Sequence, residues 1–362
     1  MRSIIDTTDL SVAEIAKLLE NAHKIIEHPN HYQRSAPGKI LATLFYEPST
    51  RTRLSFESAM CGLGGQVLSM PSANNSSAAK GETIADTLRV VSNYADLIAI
   101  RHPHDGAALV AAEAANVPVI NAGDGGHFHP TQTLADLLTI ERHFGRLSGL
   151  KIVCVGDLLY GRTVHSLLQA LIRYEHNEFV MVSPPELRLP QEFIQRLNLA
   201  GAQIMEAETL AEAVADADVI YMTRVQQERF ANRDEYQRLK DLFVLDRKVM
   251  ENAPISSIVM HPLPRIGEIS PEFDSDPRAK YFEQTFNGKI MRAALMRYLL
   301  RDAERNPEKV LRREITDSEF ADAAQYCGNS RCVTHIERGL KLRARTEANT
   351  CAYCDAPLRS AC

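Results

Sequence analysis

No stretch of the sequence approaches the uninterrupted apolar length that a bilayer-spanning helix requires, so nothing in it argues for membrane insertion. One-sided charge is also missing. Against 46 acidic side chains stand 41 basic ones, a net charge of −5 spread fairly evenly. No basic face therefore argues for nucleic acid or an anionic membrane, and the expected partner is a small molecule. The opening MRSIIDTTDL lacks an apolar core of signal-peptide length, so the expected location is cytoplasmic. Low-complexity tracts and short-period repeats are absent too. The cysteines number only seven and do not read as a disulfide framework. Cys61 and Cys154 lie in apolar surroundings like small core residues, four others sit near the C-terminus at metal-ligand spacing, and Cys362 is left unassigned.

What is present is a regular alternation. A capping box of Ser11 and Glu14 precedes Val12, Ile15, Leu18, Leu19, Ala22, Ile25 and Ile26 at helical spacing. Apolar runs then alternate with helical patterns: KILATLF and a helix from about Ser49, DLIAI and GAALVAAEAA, VPVIN and TLADLLTIERHF. Strand and helix in turn predict a parallel sheet with crossover helices. The rhythm restarts after RLSGL with KIVCVGD, EFVMVS, AQIME, DVIYMT and SIVMH, each but the last followed by a helix or polar loop. The expected fold is thus two doubly wound parallel-sheet α/β domains and a small C-terminal module. The first domain covers 1–145 with a return helix at about 286–301, and the second covers 146–285. Ten of the seventeen residues from Arg301 to Asp317 are charged, which predicts a solvated linker or exposed helix over 302–326. The module follows at 327–362.

FYEPSTRTRLSFE follows a buried-strand pattern where a crossover helix begins. A helix N-terminus offers unbonded N–H groups and a partial positive charge. The hydroxyls of Ser49, Thr50 and Thr52 and the planar fork of Arg51 add donors for a phosphate or carboxylate. Taken alone, Ser-Thr-Arg reads as a capped surface helix. Polar groups, however, also follow the other strand patterns: Arg101, His129 and Gln132, Arg162, Arg224 and PLPR, at the ends where open α/β sheets bind ligands. GDLLYGRT has P-loop spacing at Gly156, Gly161 and Thr163, but Arg162 stands where the phosphate-reaching lysine belongs, so the match reads as chance.

FYEPSTRTRLSFESA, KGET, RHP, HPTQTLADL, GDLLYGRT, MTRVQQER and HPLPR, in this order between about Met1 and Ala303, resemble the catalytic chains of aspartate carbamoyltransferases. STRTR is shared with ornithine carbamoyltransferases, whereas HPLPR and RVQQER favour the aspartate enzymes. The resemblance implies that carbamoyl phosphate is attacked by the amine of L-aspartate, giving N-carbamoyl-L-aspartate and phosphate in de novo pyrimidine biosynthesis, without a catalytic cofactor. It further implies that Ser49, Thr50, Arg51 and Thr52 hold the phosphate, that Thr52, Arg101 and His129 address the carbonyl oxygen, and that Gln132 addresses the carbamoyl amide. By the same resemblance Arg162, Arg224 and Gln226 hold the aspartate carboxylates, with Thr163 among the substrate-binding residues, and Leu263 and Pro264 offer main-chain carbonyls to the amine. Ser76 and Lys80 are assigned to a neighbouring subunit's site, so a homotrimer with shared active sites is expected. A second acceptor such as ornithine, or a catalytically silent scaffold built around the C-terminal module, are the alternatives.

Cys327-x4-Cys332 and Cys351-x2-Cys354, an 18-residue gap apart, form two short knuckles suited to one tetrahedral Zn2+ in a structural site. Two disulfides are the alternative, and a module this small needs some staple. CGNSRC, VTHIE and the basic KLRAR resemble the zinc domain of the same enzyme's regulatory chain, without the nucleotide-binding domain that normally precedes it. The missing domain leaves no basis for expecting nucleotide control, and two trimers bridged through the zinc domains are the corresponding expectation.

Overall fold

The computed structural model describes residues 1–73, 77–225, 233–239, 242–322, 324–345 and 348–360. Contacts divide the chain into two units, Met1–Thr131 with Lys289–Cys362, and Gln132–Gly288.

The first unit opens with α1 (Val12–Glu27). Ser11 Oγ accepts from the Glu14 N–H while the Glu14 carboxylate accepts from the Ser11 N–H, the reciprocal box expected from the sequence. Ile15, Leu18, Leu19, Ala22 and Ile25 form its buried stripe, while Val12 is exposed. There follow β1 (Ile40–Phe45), α2 (Thr50–Gly62), β2 (Gln66–Met70), α3 (Ile84–Val91), β3 (Leu97–His102), α4 (Ala107–Ala114) and β4 (Val119–Asp124). The sheet is parallel throughout, in the order β2-β1-β3-β4. The sequence pattern missed β2 and α3. The reason for β2 is its edge position: most of it stays at least partly exposed, so its residues are not the apolar run of a central strand.

Helix α5 (Pro130–Phe144) runs from the first unit into the second. The second unit continues with β5 (Lys151–Val155), α6 (Arg162–Leu171), β6 (Glu178–Val182), α7 (Gln191–Leu199), β7 (Gln203–Glu206), α8 (Leu210–Ala213), β8 (Val219–Met222), α9 (Arg233–Leu239), α10 (Arg247–Met250) and β9 (Ile258–Met260). Its sheet is also parallel, ordered β7-β6-β5-β8-β9, over a core that includes Val153, Val180, Ile220, Val259, Phe273 and Tyr281. Helix α11 (Tyr281–Arg305) then returns to the first unit. It starts five residues earlier than the sequence pattern suggests.

The charged segment from the end of α11 onward is exposed over residues 304–311 and is also tied to its unit at several points. Residues 306–312 carry no helix or strand, yet Lys309 Nζ donates to the Ala115 carbonyl at 2.8 Å and Arg312 pairs with Asp9 at 2.9 Å. Val310 N–H donates to the Met1 carbonyl at 3.1 Å, and in α12 (Arg313–Thr316) Ile315 is buried.

The tail forms small antiparallel ladders, β10 (Glu319–Phe320), β12 (Arg343–Arg345) and β13 (Thr350–Cys351) in one, β11 (Gln325–Cys327) and β14 (Leu358–Ser360) in the other. It shares one apolar core with the rest of its unit, in which Cys327, Cys332, Val333, Tyr353 and Leu358 pack with Ala107, Ala108, Ala111 and Ala112 of α4. A helix apolar on every side must be covered on every side, and the tail supplies part of that cover for α4, beside α3 and the sheet. Gly106, at φ 84°, lets the two approach, since a Cβ there would lie 2.6 Å from the Tyr353 carbonyl oxygen.

Candidate active site

In an open parallel sheet, ligands bind beyond the carboxyl ends of strands at the point where strand order reverses. In the first unit that point lies between β1 and β3, and Ser49–Thr52 and Arg101 stand at or just beyond the carboxyl ends of those two strands. Ser49 caps α2 just after β1, with extended backbone and its hydroxyl unused in any capping bond. Thr50 and Arg51 are exposed and Thr52 is buried on the first turn. Arg101 lies near the end of β3 opposite Phe45, donates Nη1–H to the Ala122 carbonyl at 3.3 Å, and pairs with Glu47 at 2.7 Å. That ion pair ties the loop after β1 to β3. His102 beside it is pushed down to about 3, mainly by burial, and is neutral.

His129 is buried beyond β4, after a turn organised by two carboxylates that the sequence pattern did not flag. Asp124 is wholly buried and accepts from Asn121 Nδ2 (2.8 Å), Gly106 N–H (2.9 Å) and Phe128 N–H (3.1 Å). Asp105 accepts from Gly126 N–H at 2.7 Å, and the neighbouring Gly125 has φ 50° with no room for a Cβ against the Asp105 carboxylate. Arg292 of α11 was equally invisible in the sequence, because it sits inside a long amphipathic pattern. Its guanidinium lies over the Phe56 ring and donates to Ser55 Oγ (3.0 Å) and Thr131 Oγ1 (3.2 Å), so α2 and the start of α5 are held by one side chain.

In the second unit the strand order reverses between β5 and β8. Arg162 and Thr163 open α6 after β5, and Arg224 follows β8. Thr223 Oγ1 donates to the Val155 carbonyl (2.8 Å) and accepts from Asp157 N–H (3.0 Å), which locks the two strand ends together. The adjacent β9 leads into His261, Leu263 and Pro264, joined by a cis Leu263–Pro264 peptide, with Leu263 at φ 54°. Leu263 N–H donates to His261 Nδ1 at 2.7 Å, so the imidazole is the tautomer whose Nε2–H donates to Glu268 Oε1, also at 2.7 Å. Burial first, and then the fields of Arg224 and Arg265, lower the His261 pKa and keep it neutral despite Glu268. Burial would raise Glu268, but His261 and the main-chain N–H groups around Gly267 bring it to about 2. Gln132 Nε2 donates to Asp136 Oδ1 at 2.8 Å.

The first unit thus carries Ser49, Thr50, Arg51, Thr52, Arg101 and His129 at or beyond the carboxyl ends of its strands, and the second carries Arg162, Thr163, Arg224, Leu263 and Pro264 beyond the carboxyl ends of its own. Lys80 ends an exposed turn, Ser77–Lys80, in the first unit. Ser76 and Gln226 lie outside the described residues.

The four tail cysteines are buried, with their sulfur atoms within 4.8 Å of one another. Separations of 3.4 Å (Cys327–Cys354) and 3.8 Å (Cys332–Cys351) are far longer than a disulfide and leave all four thiols unbridged. They match the edge of about 3.8 Å expected for thiolates around a tetrahedral ion at about 2.3 Å. Cys154, by contrast, is pushed up to about 12 by burial and is chemically inert.

Residues 2–142 match the family model for the carbamoyl-P binding domain of aspartate/ornithine carbamoyltransferases, and residues 148–299 match that for their Asp/Orn binding domain. The chain is 54% identical over 295 residues to the aspartate carbamoyltransferase catalytic subunit of Bifidobacterium adolescentis, covering 81% of this chain and 92% of that one. To the corresponding subunit of Clostridium kluyveri it is 52% identical over 299 residues, covering 83% and 98%. Among solved structures, the catalytic subunit of M. jannaschii aspartate transcarbamoylase superposes with a TM-score of 0.78 at 49% identity, over 84% of this chain and 99% of that one. The Trypanosoma cruzi enzyme in complex with carbamoyl phosphate gives 0.78 at 38% identity, over 82% and 96%.

Proposed function

The chain belongs to the aspartate/ornithine carbamoyltransferase family, its reaction is the transfer of the carbamoyl group of carbamoyl phosphate to the amine of L-aspartate, and we propose how its residues divide that work. The observation that carries the acceptor is identity above half, across both α/β units, to catalytic subunits named for aspartate.

The amine lone pair attacks the carbamoyl carbon, the bond from that carbon to the bridging oxygen breaks, and phosphate leaves with the electron pair. The amine proton passes to phosphate or solvent. Ser49, Thr50, Arg51 and Thr52 hold the phosphate, and their position at a helix N-terminus supports this, because donors and dipole there both favour an anion. Arg101 and His129, with Thr52, polarise the carbonyl, and their burial supports it, since donors act most strongly on developing charge away from water. Gln132 takes the carbamoyl amide. Arg162, Thr163, Arg224 and Gln226 hold the aspartate carboxylates, for which guanidinium forks are suited. The carbonyls of Leu263 and Pro264 accept from the amine.

Ser76 and Lys80 serve a neighbouring protomer's site in a homotrimer. The cysteine cluster holds one structural Zn2+, filled by four thiolates with no open position, and the tail is a fused counterpart of a regulatory-chain zinc domain that bridges trimers. Cysteines that are all unpaired among the described residues fit a cytoplasmic setting, and no described helix is long and apolar enough to cross a membrane.

Product formation with aspartate and with ornithine, run beside native mass measurement with and without a chelator, tests these points. Carbamoyl-aspartate as the product supports the acceptor, and preferred turnover of ornithine overturns it. A mass unchanged by chelation overturns bridging through the tail.

A further inference from the structure

Asp136 of α5 is wholly buried, and among the described residues its carboxylate accepts from Gln132, Gln284 and Tyr221. Oδ1 accepts from Gln132 Nε2 at 2.8 Å and Gln284 Nε2 at 2.6 Å, and Oδ2 accepts from Tyr221 O–H at 2.9 Å. Burial and the Asp136 charge raise the Tyr221 pKa, so the phenol keeps the proton it donates. A buried carboxylate is costly to desolvate, and an uncharged residue there would satisfy packing more cheaply. Its particular property is that it only accepts, so both glutamine amides must turn their NH2 groups toward it.

Two consequences follow from that constraint. Gln132 has its carbonyl oxygen directed away from Asp136, and a carbonyl is the group that can accept from a carbamoyl NH2. Gln284 has its Oε1 on the His261 N–H at 3.0 Å, and His261 Nδ1 in turn holds the Leu263 N–H. Leu263 keeps φ 54°, a left-handed conformation that a non-glycine residue seldom holds without such support. One carboxylate therefore stands behind both the proposed acceptor for the carbamoyl amide and the proposed acceptors for the amine.

We propose that Asp136 is a positioning residue for carbamoyl transfer, fixing Gln132 carbonyl-outward and, through Gln284 and His261, the main chain at Leu263. This rests on the roles given above to Gln132 and Leu263, but not on the identity of the acceptor amino acid. Asp136→Asn preserves shape and offers an NH2 of its own, so the two glutamine amides lose their enforced direction. Misorientation near the reacting atoms costs on the order of 100-fold in rate. The phosphate grip lies in the other unit and does not depend on Asp136.

The test uses the full-length protein. Expected for Asp136→Asn are a fall in kcat of about 100-fold, an affinity for inorganic phosphate within about twofold of the parent, and recovery of kcat to within about tenfold in Asp136→Glu. In a Gln132→Ala background the same change should cost only a few-fold more, because the two act through one another. Gln284→Met, which cuts only the arm to His261, should raise the KM for aspartate and lower kcat with phosphate affinity unmoved, and it stands as the test should Asp136→Asn not fold. Parental kcat in Asp136→Asn, full additivity with Gln132→Ala, or a Gln284→Met variant with parental kcat and KM would overturn the proposal. Turnover of aspartate by the unmodified protein is read separately and stands whichever way these variants behave.

Discussion

The N-terminus of α3 is completed by a residue 253 positions later in the chain, and breaking that contact should loosen the tail from its unit. Of the first N–H groups of α3, that of Asp86 is taken by Thr83 Oγ1 at 3.0 Å. Those of Ile84 and Ala85 donate to Glu337 Oε2 and Oε1, at 3.0 Å each. Hydrogen bonds to a charged group contribute about 1.5–3 kcal/mol apiece, and a carboxylate at a helix N-terminus gains a further few tenths to 1 kcal/mol. Glu337→Gln keeps one acceptor but turns an NH2 toward the other donor, so about 2 kcal/mol should be lost, and about 3 kcal/mol in Glu337→Ala, where water partly replaces the carboxylate. For a unit of this size about 2 kcal/mol lowers the melting temperature by roughly 4–8 °C. Thermal melts paired with amide hydrogen exchange measure both quantities, with Ile84 and Ala85 exchanging faster in each variant. A Glu337→Gln variant melting within about 1 °C of the parent, with exchange at those two amides unaltered, would refute the reasoning.

Arg51→Ala should lower kcat by about 10²–10³-fold while the melting temperature holds, since an exposed side chain with the phosphate-holding role proposed above matters to turnover and little to packing; undiminished turnover would remove it from the site. Burial acts to lower His127, but Asp124 and Asp355 on either side push it up to about 10, with Asp105 close by and Arg345 paired to Asp355. A raised pKa makes this contribution to stability complete below the unfolded value of about 6.5 and lost as pH rises through about 10. The stability gap between parent and His127→Gln, from urea titrations at stepped pH, should close across that window, and a gap independent of pH would contradict the assignment. Cys351→Ser should remove the bound metal equivalent, read by elemental analysis, and lower the denaturation midpoint of the first unit, because Cys351 is part of that unit's core; full metal content would exclude a four-thiolate site.

Much of this was legible before any coordinates. The capping box of α1, the alternation of strand and helix, the hydroxyl and guanidinium cluster opening α2 and the spacing of four cysteines are local patterns, and local patterns report local physics. Glu47, Asp105, Asp124, Asp136, Arg292 and Glu337 were not legible. Each is an ordinary polar residue in its own segment and becomes informative only through a partner elsewhere in the fold.

Periodicity, capping residues and ligand spacing thus determine which segments become helix, which become strand, where an anion can be met and where a metal can be held, because those choices are made within a few residues. Strand order is different, for it decides that Arg101 lies beside the loop after β1 and that β5 and β8, which lead to Arg162 and Arg224, run side by side. Tertiary packing also decides that the tail covers α4 and that one buried carboxylate orients two amides. Those are pairings between distant segments, selected by the burial of whole surfaces and by the cost of leaving a polar group unsatisfied, and no window of sequence contains both partners.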